Sequence, residues 1–75
     1  MSKEYILDTS GLKCPLPVLR TRRMLETLNT GDVLKVTATD PASEHDIPSW
    51  CNEMGHTVQE VKTDGTIYSF TIIKS

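Results

Sequence analysis

Two prolines spaced one residue apart, in Cys14-Pro15-Leu16-Pro17, limit where the first helix of this chain can begin. Proline is tolerated in a first helical turn because the N–H it lacks would have no intrahelical partner there. The spacing predicts a helix with Cys14 as N-cap, Pro15 at the first helical position and Pro17 still in the opening turn. Free backbone N–H groups and the positive end of the helix dipole would then point at the sulfur. Such a setting favours thiolate, the reactive form of cysteine. A polar turn, Asp8-Thr9-Ser10-Gly11, precedes the motif and is expected to keep the sulfur near water.

The rest of the chain divides into short periodic segments. Tyr5-Ile6-Leu7 predicts a first strand. Val18, Thr21, Leu25 and Leu28 recur at helical spacing as the buried stripe of a helix over 15–29, which Gly31 is expected to cap. Val33 to Ala38 alternates, with Leu34, Val36 and Ala38 on one face and Lys35 and Thr37 on the other. Asp40-Pro41 repeats the pairing of N-cap and first-position proline. A second helix is expected from Pro41 to about Met54, with Ile47, Trp50, Cys51 and Met54 as its apolar face and Gly55 as its end. Pro48 inside that span would cost about 3 kcal/mol, which predicts an opening turn near Pro41 and a main segment starting near Asp46-Ile47-Pro48. His56 to Lys62 and Thr66 to Ile73 predict two last strands, with Asp64-Gly65 as the hairpin signal. The expected fold is α+β: a two-layer α/β sandwich in the order β-α-β-α-β-β, with two helices on one face of a four-stranded mixed sheet.

At 75 residues the chain is expected to form one domain over 1–75. A domain of this size buries about 60% of its unfolded surface, leaving little room for an enclosed pocket. Met1-Ser2-Lys3-Glu4-Tyr5 shows no apolar signal region and no run reaches membrane-spanning length, so the expected location is the cytoplasm, with no membrane partner. There a cysteine is more often chemical than structural. The net charge of −2 gives no bulk attraction to nucleic acid. The basic residues Lys13, Arg20, Arg22 and Arg23 nevertheless gather near Cys14, as a local positive field or a docking face. Leu16, exposed by helical phase, joins that face.

Cys14 has no histidine close in sequence, and His45 and His56 belong with the second helix and its end. Cys14 and Cys51 lack zinc-ligand spacing, so no metal is expected. Cys51, at helical spacing from Ile47 and Met54, is more often a core thiol. The residues alone point to a reactive thiol at Cys14, and leave open a redox module acting through a mixed disulfide there and, least supported, a nucleic-acid-binding domain.

Leu7-Asp8-x-x-Gly11-Leu12-x-Cys14-Pro15-x-Pro17-Val18 resembles the signature of the TusA/SirA-like sulfur carrier proteins. Asp40-Pro41-Ala42, Asp46-Ile47-Pro48 and Cys51 are similar to a second stretch of the TusA members, and Thr63-Asp64-Gly65 with Tyr68 also fits. The resemblance implies a sulfurtransferase that carries sulfane sulfur as a persulfide on Cys14 and uses no cofactor. Lys13, Pro15, Pro17, Asp8 and Gly11 would shape the thiolate environment. Leu16, Arg20, Arg22 and Arg23 would dock partners. A cysteine desulfurase or rhodanese-like protein would supply the sulfur to a monomer that forms transient complexes. An acceptor protein would take it toward tRNA 2-thiouridine or cytoplasmic sulfur oxidation.

Overall fold

The computed structural model describes residues 3–75; Met1 and Ser2, part of the stretch read for a signal segment, lie outside the described residues. The elements are β1 (Glu4–Thr9), α1 (Leu16–Glu26), β2 (Val33–Ala38), α2 (Ser43–Met54), β3 (Thr57–Asp64) and β4 (Ile67–Ile73). The strands form one mixed sheet in the order β1-β2-β4-β3. β1 runs parallel to β2, and β4 pairs antiparallel with both β2 and β3. α1 packs over β1 and β2, α2 over β3 and β4, and the helices touch each other.

The alternation in β2 decides which face is covered. Leu34, Val36 and Ala38 are buried, and Phe70 and Ile72 of β4 join them from the neighbouring strand. Leu25, Ile47 and Cys51 of the helices, with Leu28 just past the end of α1, close this layer. Inside the helix–sheet layer, the Thr21 hydroxyl is buried without a partner, which costs about 1–3 kcal/mol. The opposite face of the sheet is open, carrying Ile6, Lys35, Lys62 and Glu60 around a shallow groove of about 350 Å³. Lys35–Glu4 at 3.4 Å and Lys62–Glu60 at 3.7 Å are exposed pairs there.

The element ends depart from the local rules in several places. α1 stops at Glu26 and its C-cap is Thr27 in the right-handed region. Gly31, at φ +92°, instead serves the turn into β2, where Asp32 N–H donates to Asn29 C=O. α2 begins at Ser43 and runs unbroken through Pro48. Its first turn is already held by Ser43, Glu44, His45 and Asp46 N–H groups bonded back to Asp40, Pro41 and Ala42 carbonyls. The proline therefore costs one internal bond without setting the start. Met54 is not core: it is 56% exposed and lines a groove with Trp50, Arg22 and Leu25 at the far end of the helices. Gly55 does cap α2, at φ +83°. The last hairpin turns on Gly65 and Thr66, since Asp64 pairs with Ile67.

Two titratable groups tie the end of the sheet opposite the helix starts. Asp32 is buried and accepts N–H bonds from Asn29 at 2.9 Å and Lys3 at 3.1 Å. These bonds, that of Asn29 most, hold its carboxyl below the usual range. His56 Nδ1 accepts the Ser75 N–H at 3.1 Å. Burial, and then the Lys74 charge, push its imidazole below the ordinary value. In both cases the unfolded chain binds more protons, so stability rises with pH. The His56 contribution is complete above about pH 6.5 and fades as pH falls through the lower folded value; that of Asp32 fades below about pH 4. The thermal unfolding midpoint is therefore expected to fall in two stages on acidification. A single stage at carboxylate pH would remove His56 from this account.

Candidate thiol site

Cys14 sits where the loops after β1 and β2 meet, at the shared starting edge of the two helices. Three long-range bonds join the ends of these strands and the loops that follow them. Thr9 Oγ1 donates to Thr37 C=O at 2.7 Å, the Gly11 N–H donates to Thr39 Oγ1 at 2.8 Å, and the Cys14 N–H donates to Asp40 Oδ2 at 2.6 Å. Asp8 holds the preceding turn by accepting the Ser10 N–H at 2.9 Å, and Gly11 takes φ +81°, a left-handed conformation that glycine adopts freely.

Cys14 is not the N-cap. That position belongs to Pro15, and Pro17 is the second helical residue. The Cys14–Pro15 peptide is cis, and the Leu16 N–H donates to Lys13 C=O at 2.8 Å, closing a turn around the cysteine. The helix start thus offers the sulfur few donors: Pro15 and Pro17 have none, and that of Leu16 is spent.

The electrostatics also reverse the sequence expectation. The exposed Cys14 Sγ–H donates to Asp46 Oδ2 at 3.3 Å. That hydrogen bond, then desolvation and the Asp46 and Asp40 charges, raise the thiol above its ordinary value. A carboxylate that accepts from the thiol favours the protonated form. Lys13 is exposed and is not among the groups acting on the thiol. Cys14 is therefore a hydrogen-bonded thiol, with Asp46 on its sulfur and Asp40 on its backbone N–H. Asp40 and Asp46 are the site residues that sequence reasoning missed, although Asp40-Pro41 and Asp46-Ile47-Pro48 had stood out as helix-start signals. Asp40 uses its side chain on Cys14, leaving a long 3.4 Å contact to the Ala42 N–H as its share in starting α2.

Cys51 is the opposite case. It is fully buried, and burial pushes its thiol up to about 11.

The basic residues of α1 do not form one patch. Leu16, Leu19, Arg20 and Arg23 share one exposed helical face, with both leucines above 40% exposure. Arg20 and Arg23 flank a shallow apolar groove with Leu7 and Met24. Arg22 lies to the other side, paired with Glu26 at 3.1 Å and facing the groove beside Trp50.

Residues 5–74 match the family described as Sulfurtransferase TusA. The chain belongs to this family. It is 44% identical to the sulfur carrier protein TusA of Allochromatium vinosum over 69 residues, covering 92% of this chain and 91% of the relative. It is 36% identical to YrkI of Bacillus subtilis, named as a candidate sulfur carrier, over 99% of each chain. The fold is similar to the crystal structure of a SirA-like protein from Desulfitobacterium hafniense, with TM-score 0.79, 26% identity, and coverage of 92% of this chain and 95% of that one. These likenesses place the chain among TusA-type sulfur carriers. Among the described residues, no helix is long and apolar enough to cross a membrane.

Proposed function

We propose that this protein relays sulfane sulfur as a persulfide on Cys14, taking it from a donor protein and giving it to an acceptor. The observation that carries this function is an exposed Cys14 in the CPxP loop of a TusA-family chain, with the second thiol, Cys51, sealed in the core. Exposure suits exchange between protein surfaces, where an enclosing pocket would obstruct handover.

The exchange balances without an oxidant. The Cys14 sulfur attacks the outer sulfur of the donor persulfide. A new Sγ–S bond forms, the donor S–S bond breaks, and the proton lost by Cys14 ends on the departing thiolate. The acceptor thiolate then attacks the outer sulfur and releases Cys14, under the same nucleophile and leaving-group rules as disulfide exchange. Donors of the cysteine desulfurase or rhodanese type, and acceptors feeding tRNA 2-thiouridine or sulfur oxidation, fit this chemistry. Incubation with a desulfurase plus cysteine, or a rhodanese plus thiosulfate, is expected to add one sulfur atom to the intact mass. No gain from either donor would refute the carrier function.

Docking is assigned to the exposed face that leads away from Cys14, formed by Leu16, Leu19, Arg20 and Arg23 and extending about 10 Å along α1. Charge reversal at Arg20 and Arg23 is expected to slow loading by a protein donor and weaken its salt dependence, because such surface charges act on association rate. Loading from a small persulfide should be unchanged. Reversal at Arg22, turned aside and paired with Glu26, is expected to have the smaller effect. Equal losses with both kinds of donor would remove the docking role.

A further inference from the structure

We propose that Asp46 is the positioning residue that holds Cys14 as a hydrogen-bonded thiol and, together with Asp40, makes its exchange chemistry selective for partners that present positive charge to this pair. The proposal deepens the sulfur-carrier function and rests on it for its biological sense, but its chemistry concerns the thiol alone.

The geometry has three parts. Asp46 Oδ2 lies 3.3 Å from Cys14 Sγ as hydrogen-bond acceptor. Asp40 Oδ2 takes the Cys14 N–H at 2.6 Å, which fixes the backbone under the sulfur and sets a second carboxylate beside it. The charged groups from the surrounding segments are Asp46 on α2, Asp40 on the loop after β2, and the exposed Lys13 on the loop before α1. Both carboxylates disfavour the thiolate, and Lys13 does not offset them.

A thiol held in this way is silent in two directions. As nucleophile it is present mainly in its unreactive protonated form. As leaving group, a sulfur with a raised pKa departs slowly, so a loaded sulfur is retained. An anionic reagent additionally meets two negative charges at the reaction centre. A partner that brings a cation against Asp46 and Asp40 cancels both effects, and Cys14 becomes reactive where handover occurs. The same partner can meet Arg20 and Arg23 with acidic groups. Opposite charges at the two ends of the contact would then fix its orientation.

The test uses the full chain with Cys51→Ala, so that one thiol is read. Iodoacetamide alkylation is followed against pH in the parent and in Asp46→Asn. The midpoint is expected to fall in the variant. The rate below both midpoints should rise about threefold per unit of that fall, allowing for the lower nucleophilicity of a more acidic thiol. Exchange with cystamine, a cationic disulfide, is then compared with exchange with the anionic 5,5′-dithiobis(2-nitrobenzoate). The cationic-to-anionic rate ratio is expected to drop in Asp46→Asn and, by screening, in the parent at high salt. Asp46→Glu should restore part of both properties. An unmoved pH profile overturns the thiol-holding role, and an unmoved ratio overturns the charge selectivity. Should Asp46→Asn not fold, the salt dependence of the parent ratio decides the selectivity and Asp46→Ser the profile. None of these measurements needs sulfur loading. A protein that shows both shifts but takes up no sulfur from any donor loses the carrier function and keeps the Asp46 role.

Discussion

Cys14→Ser is expected to take up no sulfur from any donor, while Cys51→Ala loads as the parent does. The difference should be complete, because a serine oxygen cannot hold a sulfane sulfur by exchange and no other exposed thiol can substitute. Cys51 is fully buried and burial pushes its thiol up to about 11, so it is both inaccessible and almost wholly protonated near neutrality. Intact-mass measurement after incubation with desulfurase and cysteine reads the result directly. Alanine is the better replacement at Cys51, since a serine hydroxyl would enter the core without a partner. Sulfur retained by Cys14→Ser, or lost with Cys51→Ala in a folded protein, would move the chemistry to the wrong cysteine and end the proposed function.

The largest stability effect is expected from Phe70→Ala. Phe70 is the bulkiest of the fully buried side chains, 1% exposed, and on β4 it sits between Val36 of β2 and Val61 of β3. Truncating a buried phenylalanine costs about 3–5 kcal/mol. A chain of this length has net stability of roughly 4–11 kcal/mol, so one substitution removes a large part of the total. The urea midpoint should fall by several molar, since the slope for a small protein is about 1 kcal/mol per molar, or the folded baseline should vanish. A shift below about 1 M would mean that Phe70 does not anchor the centre of the helix–sheet layer.

How far local sequence could be trusted varies between elements for identifiable reasons. β2 matches its alternation residue for residue, because a strand with one covered face has a strict two-residue period. Gly55 was recognisable as a helix end, since a left-handed residue closing a helix is a local event. The helix starts were not recognisable in the same way. The Asp-Pro and Cys-Pro pairs both suggested N-caps, yet neither polar side chain caps its helix. Asp40 turns to the backbone of Cys14, and Asp46, expected near the start of the main segment, lies inside α2 facing the sulfur. Those partners are 26 and 32 positions away along the chain. No propensity or spacing rule operates at that separation.

The sequence by itself determined the α+β order of elements, the core face of the sheet, the family, and Cys14 as the residue to watch. The order, the core face and Cys14 follow from short-range patterns of prolines, glycines and apolar residues, and the family from resemblance to motifs spread along most of the chain. Only the tertiary structure decided the protonation setting of that cysteine. The local pattern pointed to a thiolate at a helix start. Folding brings the Asp46 carboxylate to the sulfur and the Asp40 carboxylate to the Cys14 N–H, because the loops after β1 and β2 end side by side at one edge of the sheet. A thiol's acidity depends on which charges lie within a few ångströms, and here it is folding that brings the Asp46 carboxylate to 3.3 Å from the sulfur.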